Sequence, residues 1–356
     1  MDKKITKKDL IEKIKKLYPY YKNLESLKKD ALTEILSIKC NNIMINNERN
    51  SCYLDSLLVS LFHDNNDYIK TLFLESPLND TDDKLVIIAE EIRDELIKIY
   101  NIIQHIKIDK KINYCKNLRT LFQKYYKLKY PKQKINWVSE QLEALDIINL
   151  LNVIFNIKSN IKINKKIYGG NKENKTIVFK NLKLLRDNNI KDNYTSVIPI
   201  EKLLTGENLL VKNLYPISIE NTIFDEDNLW RPDSKKSETF KRKIEKVTLL
   251  SGKFLFIHIN RNTINNDGDF EKLNTIVIPS LKIKMKENKY NIYLRSIIIH
   301  HGAYGSGHYI CLYECKGKWY KYDDLKSEIK LIGNFSDLCE YDDAYYLKNC
   351  TNLVYY

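Results

Sequence analysis

Glycine and proline are scarce, 10 and 7 of 356 residues. Beside plentiful Lys, Asn, Ile and Tyr, that scarcity reads as the coding bias of an AT-rich genome and excludes little by itself. More is excluded by the lack of any run near the roughly 18 apolar residues that span a bilayer. The lysine-rich start has no apolar signal-peptide core, so no membrane contact and a reducing cytoplasmic or nuclear location are expected. The 7 cysteines, at 40, 52, 115, 311, 315, 339 and 350, form no C-x-x-C pair. An odd, scattered set argues against a disulfide framework, and no bound metal or other cofactor is implied. Hydrophobic residues at 43% and charged residues at 29% fit a globular chain with a sizeable core. The net charge of +13 favours polyanions, but the lysines are spread among plentiful acids and read mainly as solvated surface.

The most informative stretch is Asn47-Glu48-Arg49-Asn50-Ser51-Cys52-Tyr53-Leu54-Asp55-Ser56-Leu57-Leu58. Leu54, Leu57, Leu58, Leu61 and Phe62 recur at helical spacing. With Ser51 as the expected cap, Cys52 falls in the first turn, where unpaired N–H groups and the helix dipole favour a thiolate. Far downstream, Gly307 to Tyr313 and Lys318 to Asp324 flank a short glycine-containing turn and read as an antiparallel hairpin. If Tyr313 faces Lys318, His308 lies directly opposite Asp323. A cysteine at a helix start, a histidine base and a carboxylate to orient it are the parts of a thiol-peptidase triad. His300 and His301 are rival bases without a hairpin carboxylate, and His258 on an apolar run reads as a packed core residue.

Asn47 to Phe62 resembles the cysteine box of the ubiquitin-specific peptidases. His300-x-Gly302 with Gly307-His308-Tyr309, Trp319 and Tyr322-Asp323-Asp324 resembles their histidine box, and Gln141 to Ile148 is similar to their glutamine-led helix. The resemblance implies an α+β, papain-like cysteine peptidase fold with a helical thumb, a β-sheet palm and reduced fingers, metal-free because the zinc cysteines are missing. It also implies cleavage after the C-terminal Gly-Gly of ubiquitin or a related modifier, with Cys52 as nucleophile, His308 as base, Asp323 orienting it, Asn47 in the oxyanion hole and Asp324 as a secondary polar group. Two departures stand out. Arg49 replaces a preferred glycine, and Asp55 replaces an asparagine, where a carboxylate facing the sulfur would oppose the thiolate.

The expected domain division is 1–40 and 41–356, the latter split into a thumb at 41–158 and a palm with fingers at 159–356. In the first unit Thr6 and Asp9 form a capping box for a helix carrying Leu10, Ile14 and Leu17. Ser26 is the expected cap of a second helix, and the pair weakly resembles helix-extension-helix modules of the SAP or LEM type. That likeness adds DNA or chromatin contact through residues 1–40 to the expected partners, beside ubiquitin conjugates, for a monomeric protein. The alternatives to an active peptidase are a catalytically weak ubiquitin-binding module and a chromatin protein acting through its N-terminal helices.

Overall fold

Helical periodicity in the first half of the chain and alternation in the second produce two layers that meet at the Cys52 helix. The computed structural model describes residues 6–17, 24–30, 32–33, 40, 49–105, 115–157, 162–170, 183–191, 195–199, 209–210, 219–224, 242–264, 268–285, 291–303, 305–326 and 328–356.

Helix α1 (Lys7–Leu17) opens on the expected box. The Thr6 N–H donates to Asp9 Oδ2 at 2.8 Å, and the Asp9 N–H donates to Thr6 Oγ1 at 3.2 Å. Leu10 and Ile14 pack with Leu24 and Leu32 in a small core of their own. Ser26 ends a 3-10 turn (Leu24–Ser26), and helical residues resume at 29.

The helical layer holds α2 (Cys52–Phe62), α3 (Asp67–Leu74), α4 (Asp83–His105), α5 (Cys115–Lys129) and α6 (Ala144–Ile154). Every residue of α2 is buried, as befits a helix enclosed on all sides. Of the acidic cluster before α4, Asp82 does the capping, accepting from the N–H groups of Lys84 (2.9 Å) and Leu85 (3.3 Å).

Strands follow as β1 (Lys162–Gly170), β2 (Lys183–Lys191), β3 (Thr195–Pro199), β4 (Ile219–Phe224), β5 (Arg242–Ser251), β6 (Leu255–Asn260), β7 (Asn291–His301), β8 (His308–Cys315), β9 (Lys318–Tyr322), β10 (Lys330–Gly333) and β11 (Cys350–Tyr355). A four-stranded antiparallel sheet runs β2-β1-β5-β4. Residues 175–179, whose sequence suggests a strand, and the polar stretch 234–238 lie outside the described residues. The large sheet runs β10-β9-β8-β7-β11-β6-β3, with Lys282–Lys284 paired to β7. Its period of two separates two cores. Tyr309, Cys311 and Tyr313 of β8 face the helical layer with α2. Ile310 and Leu312 face a second core closed by the short helices α7 (Phe335–Glu340) and α8 (Tyr345–Asn349).

Although cysteine spacing gave no sign of it, a disulfide joins Cys40 to Cys315, 275 residues apart. Cys40 immediately precedes the peptidase-like region, and Cys315 ends β8. The other five cysteines are free.

Candidate active site

Cys52 is the first residue of α2 and is 3% exposed. Ser51 occupies the cap position but makes no side-chain cap; its hydroxyl donates instead to Asp55 Oδ2 at 2.6 Å. The first-turn N–H groups of Leu54 and Asp55 are satisfied by the Ser51 carbonyl at 2.8 and 2.9 Å. Asp55 therefore points to Ser51, and on its other oxygen accepts from Cys115 Sγ at 2.6 Å. Asn47 lies outside the described residues.

Arg49 and Asn50 have φ of 43° and 61°, the left-handed region that glycine enters without steric cost. That is the physical reason a glycine suits position 49. Arg119 of α5, itself buried, holds this strained approach. Its guanidinium donates to the carbonyls of Arg49 (2.7 Å), Trp137 (2.8 Å) and Glu140 (3.4 Å). One side chain thus ties the loop before Cys52 to the loop before Gln141.

Gln141 sits ahead of α6, not on it. The helix starts at Ala144, where the Glu143 N–H donates to Asp146 Oδ2 at 2.9 Å, so Glu143 and Asp146 supply the capping. From this extended segment Gln141 Nε2 donates to the Gly307 carbonyl at 2.9 Å and lies 3.8 Å from Cys52 Sγ.

In the hairpin, Lys316 and Gly317 both have positive φ, 54° and 76°, and make a two-residue turn. Cys315 therefore pairs with Lys318 and Tyr313 with Tyr320, two residues away from the expected Tyr313–Lys318 register. A slip of two keeps every side chain on its face. His308 still meets Asp323, which lies just past β9: Nε2 is 2.9 Å from Asp323 Oδ1 and 3.4 Å from Asp324 Oδ1. Cys52 also acts on the ring. Burial disfavours the imidazolium, but the hydrogen bond to Asp323, the influence of Cys52 and the Asp324 charge prevail and raise the His308 pKa to about 10. Partial burial pulls the Asp323 carboxyl up, yet His308 and the Leu325 N–H hold it below the usual value.

The rival histidines are brought elsewhere. His301 Nδ1 meets the Tyr345 hydroxyl, and the His300 ring lies tilted against Tyr309 with centroids 4.5 Å apart. Burial lowers both to about 4, with nearby positive charges adding to the effect, so both are neutral. His258 is buried, contacts Asn352 Nδ2 through Nδ1 at 3.0 Å and is lowered by burial to about 4. Gly307, just before His308, has φ of 158°, and a Cβ there would come within 2.1 Å of the His301 carbonyl oxygen and 2.5 Å of His300 Nε2. Only glycine lets the loop pass. Lys272 anchors that loop, donating to the carbonyls of His300 (2.6 Å) and Gly302 (3.1 Å). A cleft is lined by Gln141, Glu143, His258, His300, Ser306 and Tyr309, and of these Gln141 reaches the thiol. Among the described residues, His308, Asp323 and Asp324 are the one group whose atoms lie close enough to share a metal ion; they are the same atoms that surround the base.

The family model for ubiquitin carboxyl-terminal hydrolase matches residues 43–347. The chain belongs to that family. A comparison with curated protein sequences found no match. Among solved structures, the fold is similar to the SAGA Ubp8/Sgf11/Sus1/Sgf73 DUB module bound to ubiquitin aldehyde, at TM-score 0.54 and 13% identity, covering 90% of this chain and 70% of that one. A variant of the same module bound to monoubiquitin is similar at TM-score 0.53 and 13% identity, covering 90% and 71%. As a member of the hydrolase family the chain is a cysteine deubiquitinase with an α+β fold.

In this hydrolase, sequence reasoning missed Arg119, Cys115 and Lys272. Arg119 and Cys115 sit on α5 and bond to Arg49 and Asp55, 70 and 60 residues away in sequence. A buried arginine in an amphipathic helix is the one local signal that Arg119 offered.

Proposed function

We propose that this deubiquitinase cleaves the peptide or isopeptide bond after a C-terminal Gly-Gly of ubiquitin through Cys52, His308 and Asp323. The observation that carries the reading is the bond of His308 to Asp323 at 2.9 Å, on a ring whose pKa Cys52 also raises. With Nε2 turned to Asp323, Nδ1 is the nitrogen left to exchange a proton with the thiol. His308 takes the Cys52 proton for the attack, and the imidazolium form is favoured up to about pH 10.

The modifier tail would lie in the cleft beside Gln141 and His300, with the scissile carbonyl over Cys52. Attack by Sγ forms the C–S bond and a tetrahedral oxyanion, which the Cys52 N–H and, by family resemblance, Asn47 would stabilise. His308 gives its proton to the leaving lysine amine as the C–N bond breaks. Water then adds to the thioester with His308 as base, releasing the carboxylate and restoring the thiolate. The ubiquitin bound to the structurally similar modules supports ubiquitin as the partner.

The test is turnover of a ubiquitin C-terminal amide substrate. Cys52→Ala and His308→Ala should each reduce kcat at least about a thousandfold with folding intact. Undiminished turnover in either variant rejects the assignment.

A further inference from the structure

Strand β7 outruns one of its neighbours. It pairs with β8 to its last residue, His301 against His308, but with β11 only as far as Ile299 against Cys350. β11 begins at Cys350, where α8 ends at Asn349, so among the described residues no strand lies on that side of His300 and beyond. Alternate residues of an antiparallel strand turn their backbone groups to the same neighbour. The His301 carbonyl stands close to Gly307, on the β8 side. Those of His300 and Gly302 therefore turn to the side where β11 is missing.

Lys272 takes the place of the missing strand. Its Nζ donates to the carbonyls of His300 (2.6 Å) and Gly302 (3.1 Å) and to Asn349 Oδ1 (3.0 Å). Three ammonium donors thus meet three uncharged oxygens. The lysine is firmly mounted. It ends the short strand Phe270–Lys272, which pairs with Asn262–Ile264. The next residue, Leu273, gives its N–H to the Arg261 carbonyl at 2.8 Å and accepts from Arg261 Nη1 at 3.0 Å. Arg261 Nε donates to the Cys350 carbonyl at 2.6 Å, which fastens this mount to the start of β11. Asn349 in turn donates to the Tyr345 carbonyl at 2.9 Å, and the Tyr345 hydroxyl meets His301 Nδ1. A ring of contacts that passes through Lys272 encloses His301, the strand residue opposite His308.

We propose that Lys272 is a positioning residue for the base. By bonding the two carbonyls that β11 leaves open, it keeps β7 extended through His301 and fixes the backbone from which His308 reaches Asp323. The proposal rests on the assignment of His308 as base given above. Without Lys272 the last residues of β7 are free to fray, and His308, the first residue of β8, loses the fixed end of its ladder.

The test compares Lys272→Met, which keeps the reach of the side chain but donates nothing, with Lys272→Arg, which keeps donors for both carbonyls. A misplaced base slows chemistry more than binding, so Lys272→Met should lower kcat about tenfold with KM within about twofold, and Lys272→Arg should recover most of that loss. The alkaline limb of kcat/KM should move to lower pH in Lys272→Met, because His308 pairs less well with Asp323. A general loss of stability would leave that limb where it is. Asn349→Ala removes only the third acceptor and should lower kcat about threefold. Independently, hydrogen exchange of the amides of 300–308 should quicken in Lys272→Met, while that of 311–322 stays as in wild type. The proposal is overturned if Lys272→Met keeps kcat within about twofold of wild type, if its alkaline limb overlays that of wild type, if Lys272→Arg is as impaired, or if exchange at 300–308 is unchanged. Where Lys272→Met does not fold, wild-type turnover in Asn349→Ala overturns it. Exchange needs no turnover, so an inactive wild type would reject the triad assignment while the hold of Lys272 on the strand end is decided separately.

Discussion

The two halves of the site are built in different ways. The hairpin half, His308 with Asp323, is local: 15 residues separate base and carboxylate, both are partly exposed, and a two-residue turn sets their meeting. The Cys52 half is buried and assembled at long range, through Asp55 to Cys115 across 60 residues, Arg119 to Arg49 across 70 and Gln141 to Cys52 across 89. The difference teaches that the hairpin governs protonation, whereas the shoulder around Cys52 governs where the sulfur is held. Changes to the hairpin should then alter rate and pH dependence at little cost in stability, and changes to the shoulder should cost stability first.

The disulfide is the covalent tie between the end of the hairpin and the segment leading to the shoulder. Cys315→Ser should lower the stability of oxidised protein by about 3 kcal/mol, because a very long loop is released in the unfolded chain, and leave kcat little changed. A loss of kcat matching the loss of stability would join the halves into one unit. Asp323→Ala should lower kcat about a hundredfold with the melting temperature nearly unmoved.

The pH dependence of that variant gives the sign. His308 is raised above its ordinary value, so the stabilisation of its ion pair is complete below about pH 6.5 and is lost as pH rises through about 10. In wild type the alkaline limb of kcat/KM should lie near there, and in Asp323→Ala it should move to lower pH. An unmoved limb would show that Asp323 does not govern the base.

On the other side, Arg119→Met leaves the carbonyls of Arg49 and the buried Trp137 without this donor and should cost about 2 kcal/mol, measured by denaturant unfolding. Arg49→Gly should be the mildest, stabilising by about 0.5 kcal/mol, the relief of left-handed strain less the entropy that glycine adds to the unfolded chain. If Arg49→Gly instead slowed turnover sharply, Arg49 would have a role beyond its backbone.

What the sequence made legible follows the same division. The alternation of Tyr309, Cys311 and Tyr313 with Ile310 and Leu312 announced the strand and its two faces, and Asp323 was found even with the register two residues off, because such a slip preserves faces. The apolar spacing from Leu54 to Phe62 likewise announced the nucleophile helix. Ser51 suits a cap by residue type, yet its side chain does not act as one. Asp55 took the Ser51 hydroxyl, and Glu143 with Asp146 opened α6. The direction of a serine hydroxyl depends on what tertiary structure puts beside it, and Asp55 is held by a cysteine on another helix. For the same reason Cys40 and Cys315 carried no spacing signal.

The most direct measurement is reaction of the purified chain with C-terminal electrophile probes built on ubiquitin and on its Gly-Gly relatives, read by intact mass for wild type and Cys52→Ala. A single adduct with the ubiquitin probe in wild type, absent from Cys52→Ala, is the predicted result. An adduct that survives in Cys52→Ala, or no adduct with any probe, would contradict the account.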